Sequence, residues 1–124
     1  MGSYSETAME AVDKMRSEGK DVGLIRLRLW RPFPFEELRR AVAGVEVVVV
    51  LDRAISFGGP GGPVASEVRS ALYAEKDRPR VVSMIGGLGG RDISVAGFEA
   101  IVERGVELSR MPGAPEFEMF GVRE

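Results

Sequence analysis

The stretch VEVVVVLDRAISFGGPGGPVASEV, residues 45–68, decides how the chain is organised. It opens with a mostly β-branched run, which is typical of a parallel strand buried on both faces. A loop with four glycines and two prolines follows at residues 58–63, and the apolar spacing after Pro63 becomes that of a helix. A strand, a tight loop and a helix in this order indicate an α/β unit.

The same alternation continues on both sides of this unit. We predict helices over residues 4–18, 35–43 and 63–76 and from Ser94 onward, and strands over residues 22–30, 45–51 and 80–85. This order predicts a three-layer α/β/α sandwich with a mostly parallel sheet, in a domain over residues 1–110 followed by an irregular tail at residues 111–124. Such a sheet usually opens on a strand, so residues 1–3 are either an added leader or the end of a missing first strand.

Arginine and tryptophan share one face of the predicted strand 22–30. Period-two spacing places Arg26, Arg28 and Trp30 on that face. Both residue types are enriched at binding hot spots, which makes these three residues interface candidates. The alternative is that the arginine stems cover a half-exposed sheet face.

The composition excludes several classes of function. The chain has no cysteine and no histidine, so thiolate-held iron–sulfur clusters, the usual zinc sites and a Ser-His-Asp triad are ruled out. The net charge of −2, without a basic block, argues against nucleic acid as a partner. No apolar run reaches the roughly 20 residues of a membrane span, and no signal peptide is visible, so we expect no membrane contact and a cytoplasmic location.

The first glycine-rich loop is a candidate anion site. A helix N-terminus after such a loop can hold an anion, but the spacing matches neither a P-loop nor a dinucleotide fingerprint. Prolines at positions 60 and 63 also remove N–H donors. The loop is therefore either a structural turn or an anion or interface site, through Gly58, Gly59, Gly61 and Gly62.

The second glycine-rich loop, residues 86–92, contains Gly89 and Gly90 and ends on Arg91 and Asp92. The planar guanidinium of Arg91 is the best single candidate for a carboxylate or phosphate. The alternative is that Arg91 pairs with Asp92, or that Asp92 simply forms the turn.

The central strand closes on Asp52 and Arg53. A carboxylate at this position can be catalytic or can cap a loop through backbone N–H groups. Because no histidine is present as a partner, we predict no catalytic residue, and a free-standing enzyme based on Asp52 and Arg91 is a remote alternative.

Four stretches, in this order, resemble one family: MGSYSETAMEAV, RLRLWRPFPFEELRRA, VVVLDRAISFGGPGGPVASEVRSALY and MIGGLGGRDIS. They are similar to the domain that follows the thiamine-pyrimidine domain in the alpha chain of 2-oxoacid:ferredoxin oxidoreductases of the pyruvate synthase type. That domain is itself similar to the C-terminal domain of transketolase-like enzymes.

The resemblance implies a scaffold domain, inactive alone, inside an oligomeric enzyme that converts a 2-oxoacid to acyl-coenzyme A and reduces ferredoxin. It implies that thiamine diphosphate, magnesium, iron–sulfur clusters and coenzyme A are held by partner domains or subunits, and that this chain holds no metal. The alternative is a module that binds coenzyme A or another anion through the two glycine loops. We take the interface candidates to be Arg26, Arg28, Trp30, Asp52, Arg53 and Asp92.

Overall fold

The structure, a computed structural model, describes residues 4–28, 30–87 and 92–121. Four helices and three strands form in these ranges. In chain order they are α1 (Tyr4–Ser17), α2 (Phe35–Ala41), β1 (Val47–Asp52), α3 (Pro63–Leu72), β2 (Arg80–Ile85), α4 (Val95–Ser109) and β3 (Glu118–Met119).

The strands form one parallel sheet in the order β1-β2-β3. β1 and β2 pair along their whole length, with Val47 opposite Arg80 and Asp52 opposite Ile85. β3 adds only two residues beside the end of β2 and comes from the segment predicted as an irregular tail. The predicted α/β class with a parallel sheet is confirmed.

Helices cover both faces of the sheet. Val48 and Val50 of β1 face a cluster formed with α2 and α3. Val49 and Leu51 face the opposite way, toward a cluster formed with α1 and α4. α1 packs chiefly against α4 rather than against a strand. The β-branched run of β1 therefore contributes to two separate cores.

The predicted strand over residues 22–30 is wrong. Residues 22–28 and Trp30 have no regular secondary structure, and Leu29 lies outside the described residues. Within the described part of the chain, no backbone hydrogen bond joins residues 22–28 to another segment. Period-two spacing signals an extended backbone, whereas a strand also needs a neighbour that pairs with its N–H and C=O groups, and residues 22–28 have no such pairing in the ranges that the structure describes.

The position of β1 also differs from the prediction. We expected a strand buried on both faces, but β1 is an edge strand in the described sheet, and Val47, Val48 and Val49 are only half-buried. By contrast, β2 occupies its predicted residues. The side chain of Ser94 caps α4 as predicted, since its Oγ accepts a hydrogen bond from the Gly97 N–H at 3.0 Å.

Candidate functional site

The two glycine loops begin side by side at the carboxyl edge of the sheet. Asp52 and Ile85 are opposite each other in the register of β1 and β2, and the Gly86 N–H donates to the Asp52 carbonyl oxygen at 2.9 Å. Gly86 and Gly87 are both buried there. The candidates Gly89, Gly90 and Arg91 lie outside the described residues, and Asp92 is exposed.

The buried carboxylate at the end of β1 caps the next helix. Asp52 is only 3% exposed, and its two oxygens accept hydrogen bonds from the N–H groups of Val64 at 3.0 Å and Ala65 at 3.1 Å. Burial raises the pKa of Asp52, and the two backbone donors oppose that rise. The first free N–H groups of α3 are thus taken by a side chain of the domain itself, which leaves them closed to an external anion.

Close packing explains the glycines that end the first loop. A Cβ on Gly62 would lie 2.0 Å from Asp52 Oδ2, and one on Gly61 would lie 2.9 Å from Phe117 Cβ. Gly61 also has a φ of 125°, and its carbonyl oxygen accepts the Ser56 N–H at 2.8 Å. These contacts explain why glycine occupies positions 61 and 62, and the explanation needs no bound ligand.

The tip of the first loop exposes an aromatic side chain. Phe57 is 98% exposed, and Gly58 beside it has a φ of 73°. Gly58 and Gly59 are exposed as well. Sequence reasoning did not single out Phe57, although an aromatic residue inside a glycine–proline loop is a signal that it cannot reach the core. A fully exposed aromatic residue at the tip of a turn is suited to contact another protein surface.

The arginine and tryptophan candidates point toward different layers. Arg26 Nη1 donates to Met9 Sδ on α1 at 3.4 Å. Trp30 is half-buried against the cluster of α2 and α3, with its ring 5.7 Å from the ring of Phe33. Arg28 and Arg53 are exposed. The structure therefore does not bring Arg26 and Trp30 onto one surface.

A groove of about 660 Å³ runs along the free part of the β2 edge, between α3, α4 and the segment after α4. Arg69 reaches across it and donates to the carbonyl oxygens of Val81 at 3.4 Å and Glu116 at 3.1 Å. Ser83 Oγ is buried there and has no hydrogen-bond partner among the described residues. Through these two backbone contacts Arg69 links the C-terminal segment to β2 along this groove.

The described residues gather no ligand set for the metal groups that the resemblance assigns to partner domains and subunits. Among residues 4–28, 30–87 and 92–121, no three Asp or Glu side chains gather as metal ligands. The sequence supplies no cysteine thiolate for an iron–sulfur cluster.

No helix in the described ranges is long and apolar enough to cross a membrane.

Comparison with known proteins connects the fold to a family. The family model described as "Pyruvate:ferredoxin oxidoreductase core domain II" matches residues 1–98. The chain is 40% identical over 124 residues to a pyruvate synthase subunit PorA from Thermotoga maritima, covering the whole chain and 31% of that protein.

A second relative carries another substrate name. The chain is 46% identical over 103 residues to a ketoisovalerate oxidoreductase subunit VorA from Pyrococcus horikoshii, which covers 83% of the chain and 26% of that protein. The chain thus spans between a quarter and a third of the length of these relatives.

Proposed function

Because the chain belongs to the family of core domain II of pyruvate:ferredoxin oxidoreductases, we propose that it is a non-catalytic structural and interface domain of a 2-oxoacid:ferredoxin oxidoreductase. The family match over residues 1–98 is the observation that carries this proposal. Together with partner domains, the domain serves the oxidative decarboxylation of a 2-oxoacid to acyl-coenzyme A.

The names of the relatives support a role outside substrate selection. One relative is named for pyruvate and another for ketoisovalerate, yet both match the chain at similar identity, 40% and 46%. A segment that chose between these two acids would differ most in the residues that touch them. We therefore assign the choice of 2-oxoacid to other parts of the enzyme.

The local chemistry supports a structural role as well. Asp52 has the position of a possible catalytic carboxylate, but both of its oxygens accept N–H groups of α3. Burial raises the pKa of Asp52, and the sequence supplies no histidine as a partner for proton transfer. The same contacts disfavour the alternative of an anion or coenzyme A module, because they use the donors that an anion at this helix end would need.

The interface is centred on the exposed loop tip at residues 57–59. A fully exposed phenylalanine costs little conformational entropy when it is buried by a partner and offers a large apolar area. It stands at the carboxyl edge of the sheet, where the ligands of open α/β sheets usually bind. We propose that thiamine diphosphate, magnesium, iron–sulfur clusters and coenzyme A are held beyond this edge, by partner domains and subunits of an oligomer.

The test is reconstitution. We expect the tagged chain to capture the polypeptides that supply the rest of the oxidoreductase and to form a stable complex with them. We also expect 2-oxoacid-dependent reduction of ferredoxin only in that complex, and none with the chain alone. Turnover by the chain alone, or failure to associate with any of those polypeptides, would contradict the proposed function.

A further inference from the structure

Arg69 bridges β2 and the C-terminal segment and keeps their backbones one guanidinium apart. β3 pairs with β2 only at Met84 and Ile85. Before that point Arg69 Nη2 lies between the two backbones and donates to the carbonyl oxygens of Val81 at 3.4 Å and Glu116 at 3.1 Å. The groove of about 660 Å³ along this edge therefore belongs to the folded domain, and its volume is typical of small-molecule sites.

Backbone N–H groups of β2 point into this groove. The N–H of Arg80 donates toward β1, to the carbonyl oxygen of Glu46 at 2.9 Å. Because adjacent residues of a strand direct their backbone groups to opposite sides, the N–H groups of Val81 and Ser83 face away from β1. β3 begins only at Glu118, and neither N–H has a backbone acceptor among the residues that the structure describes.

Side chains along the groove add further donors. Ser83 is 1% exposed, and its Oγ has no hydrogen-bond partner in the described ranges. Arg69 uses only Nη2 in its two contacts, so its Nε and Nη1 have no acceptor in that part of the chain. Arg80 also lines the groove, and its guanidinium forms no ion pair or hydrogen bond with the described residues. The groove therefore has an excess of hydrogen-bond donors.

We propose that this groove binds a small organic carboxylate, and we call it the carboxylate groove. The charged side chains that line it are Arg69, Arg80 and Glu116, two positive and one negative. A carboxylate carries one negative charge and only acceptor atoms, so it matches both this charge balance and the unpaired donors. Leu108 and Met111 lie along the same groove and offer an apolar surface to the rest of the ligand.

The spacing along β2 suits one carboxylate between Arg69 and Ser83. Arg69 is held at the carbonyl oxygen of Val81, two residues before Ser83. Two residues span about 7 Å of a strand, a distance that one carboxylate with a hydrogen bond on each side can bridge.

The carboxylate groove is separate from the capped end of α3. The N–H groups of Val64 and Ala65, which Asp52 occupies, take no part in it. Its donors come from the edge of β2 and from Arg69, near the other end of α3. The inference goes beyond the proposed function and does not depend on it, because every donor belongs to this chain.

Titration of the full chain with sodium butyrate, followed by amide resonances in NMR spectra, tests the carboxylate groove. We expect the amide signals of Val81 and Ser83 to shift until they saturate, with half-saturation below about 10 mM. Butyramide has nearly the same shape and no charge, and it should cause no saturable shift. Shifts that do not saturate with butyrate, or equal shifts with butyramide, would overturn the proposal.

Two arginine variants separate a site from a general effect of charge. Arg80 lines the groove, whereas Arg78 does not and donates through Nη1 to the carbonyl oxygens of Tyr73 and Glu75. Arg80→Gln and Arg78→Gln remove the same charge from nearby positions. We expect Arg80→Gln to weaken butyrate binding by about threefold or more and Arg78→Gln to leave it unchanged. Equal weakening would show that butyrate responds only to net charge and would contradict the site.

Ser83→Ala removes the buried hydroxyl that has no partner among the described residues. Without butyrate we expect the free energy of unfolding to stay unchanged or to rise, because an unpaired hydroxyl does not stabilise the fold. Butyrate binding should weaken by about fivefold or more. Unchanged binding would assign the hydroxyl to water, and a loss of stability would show that it is paired within the domain; either result would overturn the proposal.

Inorganic phosphate distinguishes the class of anion. We expect phosphate at the half-saturating concentration of butyrate to leave the butyrate shifts at Val81 and Ser83 unchanged, because phosphate has no apolar part. Displacement of butyrate by less phosphate than that would assign the groove to phosphate-bearing ligands and reject the carboxylate. Because the chain is measured alone, failure of the oxidoreductase to assemble would count only against the proposed function.

Discussion

The side chain of Asp52 occupies the space into which a side chain on Gly62 would grow. A Cβ built on Gly62 would lie 2.0 Å from Asp52 Oδ2 and 2.3 Å from its Cγ. The same carboxylate accepts the N–H groups of Val64 and Ala65. The end of β1, the last glycine of the loop and the start of α3 therefore form one packed unit, and its parts can be tested separately.

Gly62→Ala should destabilise the domain. The added methyl group meets a buried side chain that is fixed by two hydrogen bonds, so we expect a loss of about 1–3 kcal/mol in the free energy of unfolding, measured with urea. Gly23→Ala is the matched control, because a Cβ there meets nothing within 4 Å, and it should leave the stability unchanged or slightly raised. Equal stability of the two variants would show that the contact between Asp52 and Gly62 is not fixed.

The pKa of Asp52 gives a second prediction. Burial raises it, so the folded state binds the proton more tightly than the unfolded state. The resulting contribution to stability is complete below the ordinary pKa of an aspartate and is lost as the pH rises through the raised pKa. We expect the free energy of unfolding of the wild type, measured with urea, to fall relative to that of Asp52→Asn as the pH rises from below the ordinary pKa of an aspartate through the raised pKa of Asp52. If the difference in the free energy of unfolding between the wild type and Asp52→Asn stays constant, or grows in favour of the wild type as the pH rises, this assignment is contradicted.

The ion pair between α4 and β3 contributes stability with the opposite pH dependence. Arg104 donates to both oxygens of Glu118, at 2.7 and 2.8 Å, and this holds the pKa of Glu118 below its usual value. The stabilisation is present above the ordinary pKa of a glutamate and disappears as the pH falls through the lowered value. We expect Glu118→Gln to speed amide exchange at Met119 and Phe120 at neutral pH and to have little effect in acid.

Glu116→Gln is the control for that measurement. Glu116 accepts from Arg69 through its backbone carbonyl, which the substitution keeps. Its exchange pattern should match that of the wild type at every pH. If Glu116→Gln loosens β3 as much as Glu118→Gln does, the side-chain ion pair is not what fixes the segment.

We expect a substitution at the exposed loop tip to weaken assembly with the partner subunits without changing the stability of the domain. Phe57→Ser should leave the free energy of unfolding unchanged, because the ring is 98% exposed. It should weaken binding to the partner subunits by about tenfold or more, since an aromatic anchor carries much of an interface's energy. Calorimetry or biolayer interferometry would measure this, with Tyr73→Ser as the control, a residue 78% exposed at the end of α3. Equal loss with both variants would remove Phe57 as a specific anchor.

The sequence predicted correctly those elements whose signals lie within one short stretch of the chain. β2 lies over its predicted residues, a short segment that ends at the glycines of the second loop, and Ser94 caps α4 as its side chain predicts. The strand at residues 22–30 was wrong because its alternation records an extended backbone and not the presence of a neighbour. β3 was missed because two residues, Glu118 and Met119, have no periodicity to detect.

The candidate site was predicted less well than the fold. The sequence singled out the glycines of the first loop but not the reason for them. Gly62 is needed because it contacts Asp52, which lies ten positions earlier in the chain, and this contact is visible only in three dimensions. Phe57 was not singled out from the sequence, although its place beside a glycine–proline loop indicates that its ring cannot reach the core. The roles proposed for Arg91, Gly89 and Gly90 remain predictions, since these residues lie outside the described ranges.

Native mass spectrometry tests the central claim most directly. The chain would be measured alone and with the polypeptides that supply the rest of the oxidoreductase, each with and without coenzyme A and thiamine diphosphate. The account predicts a heteromeric complex that contains the chain, and no ligand on the chain alone. Coenzyme A or thiamine diphosphate bound specifically to the isolated chain, or no complex with any partner, would contradict a non-catalytic interface domain.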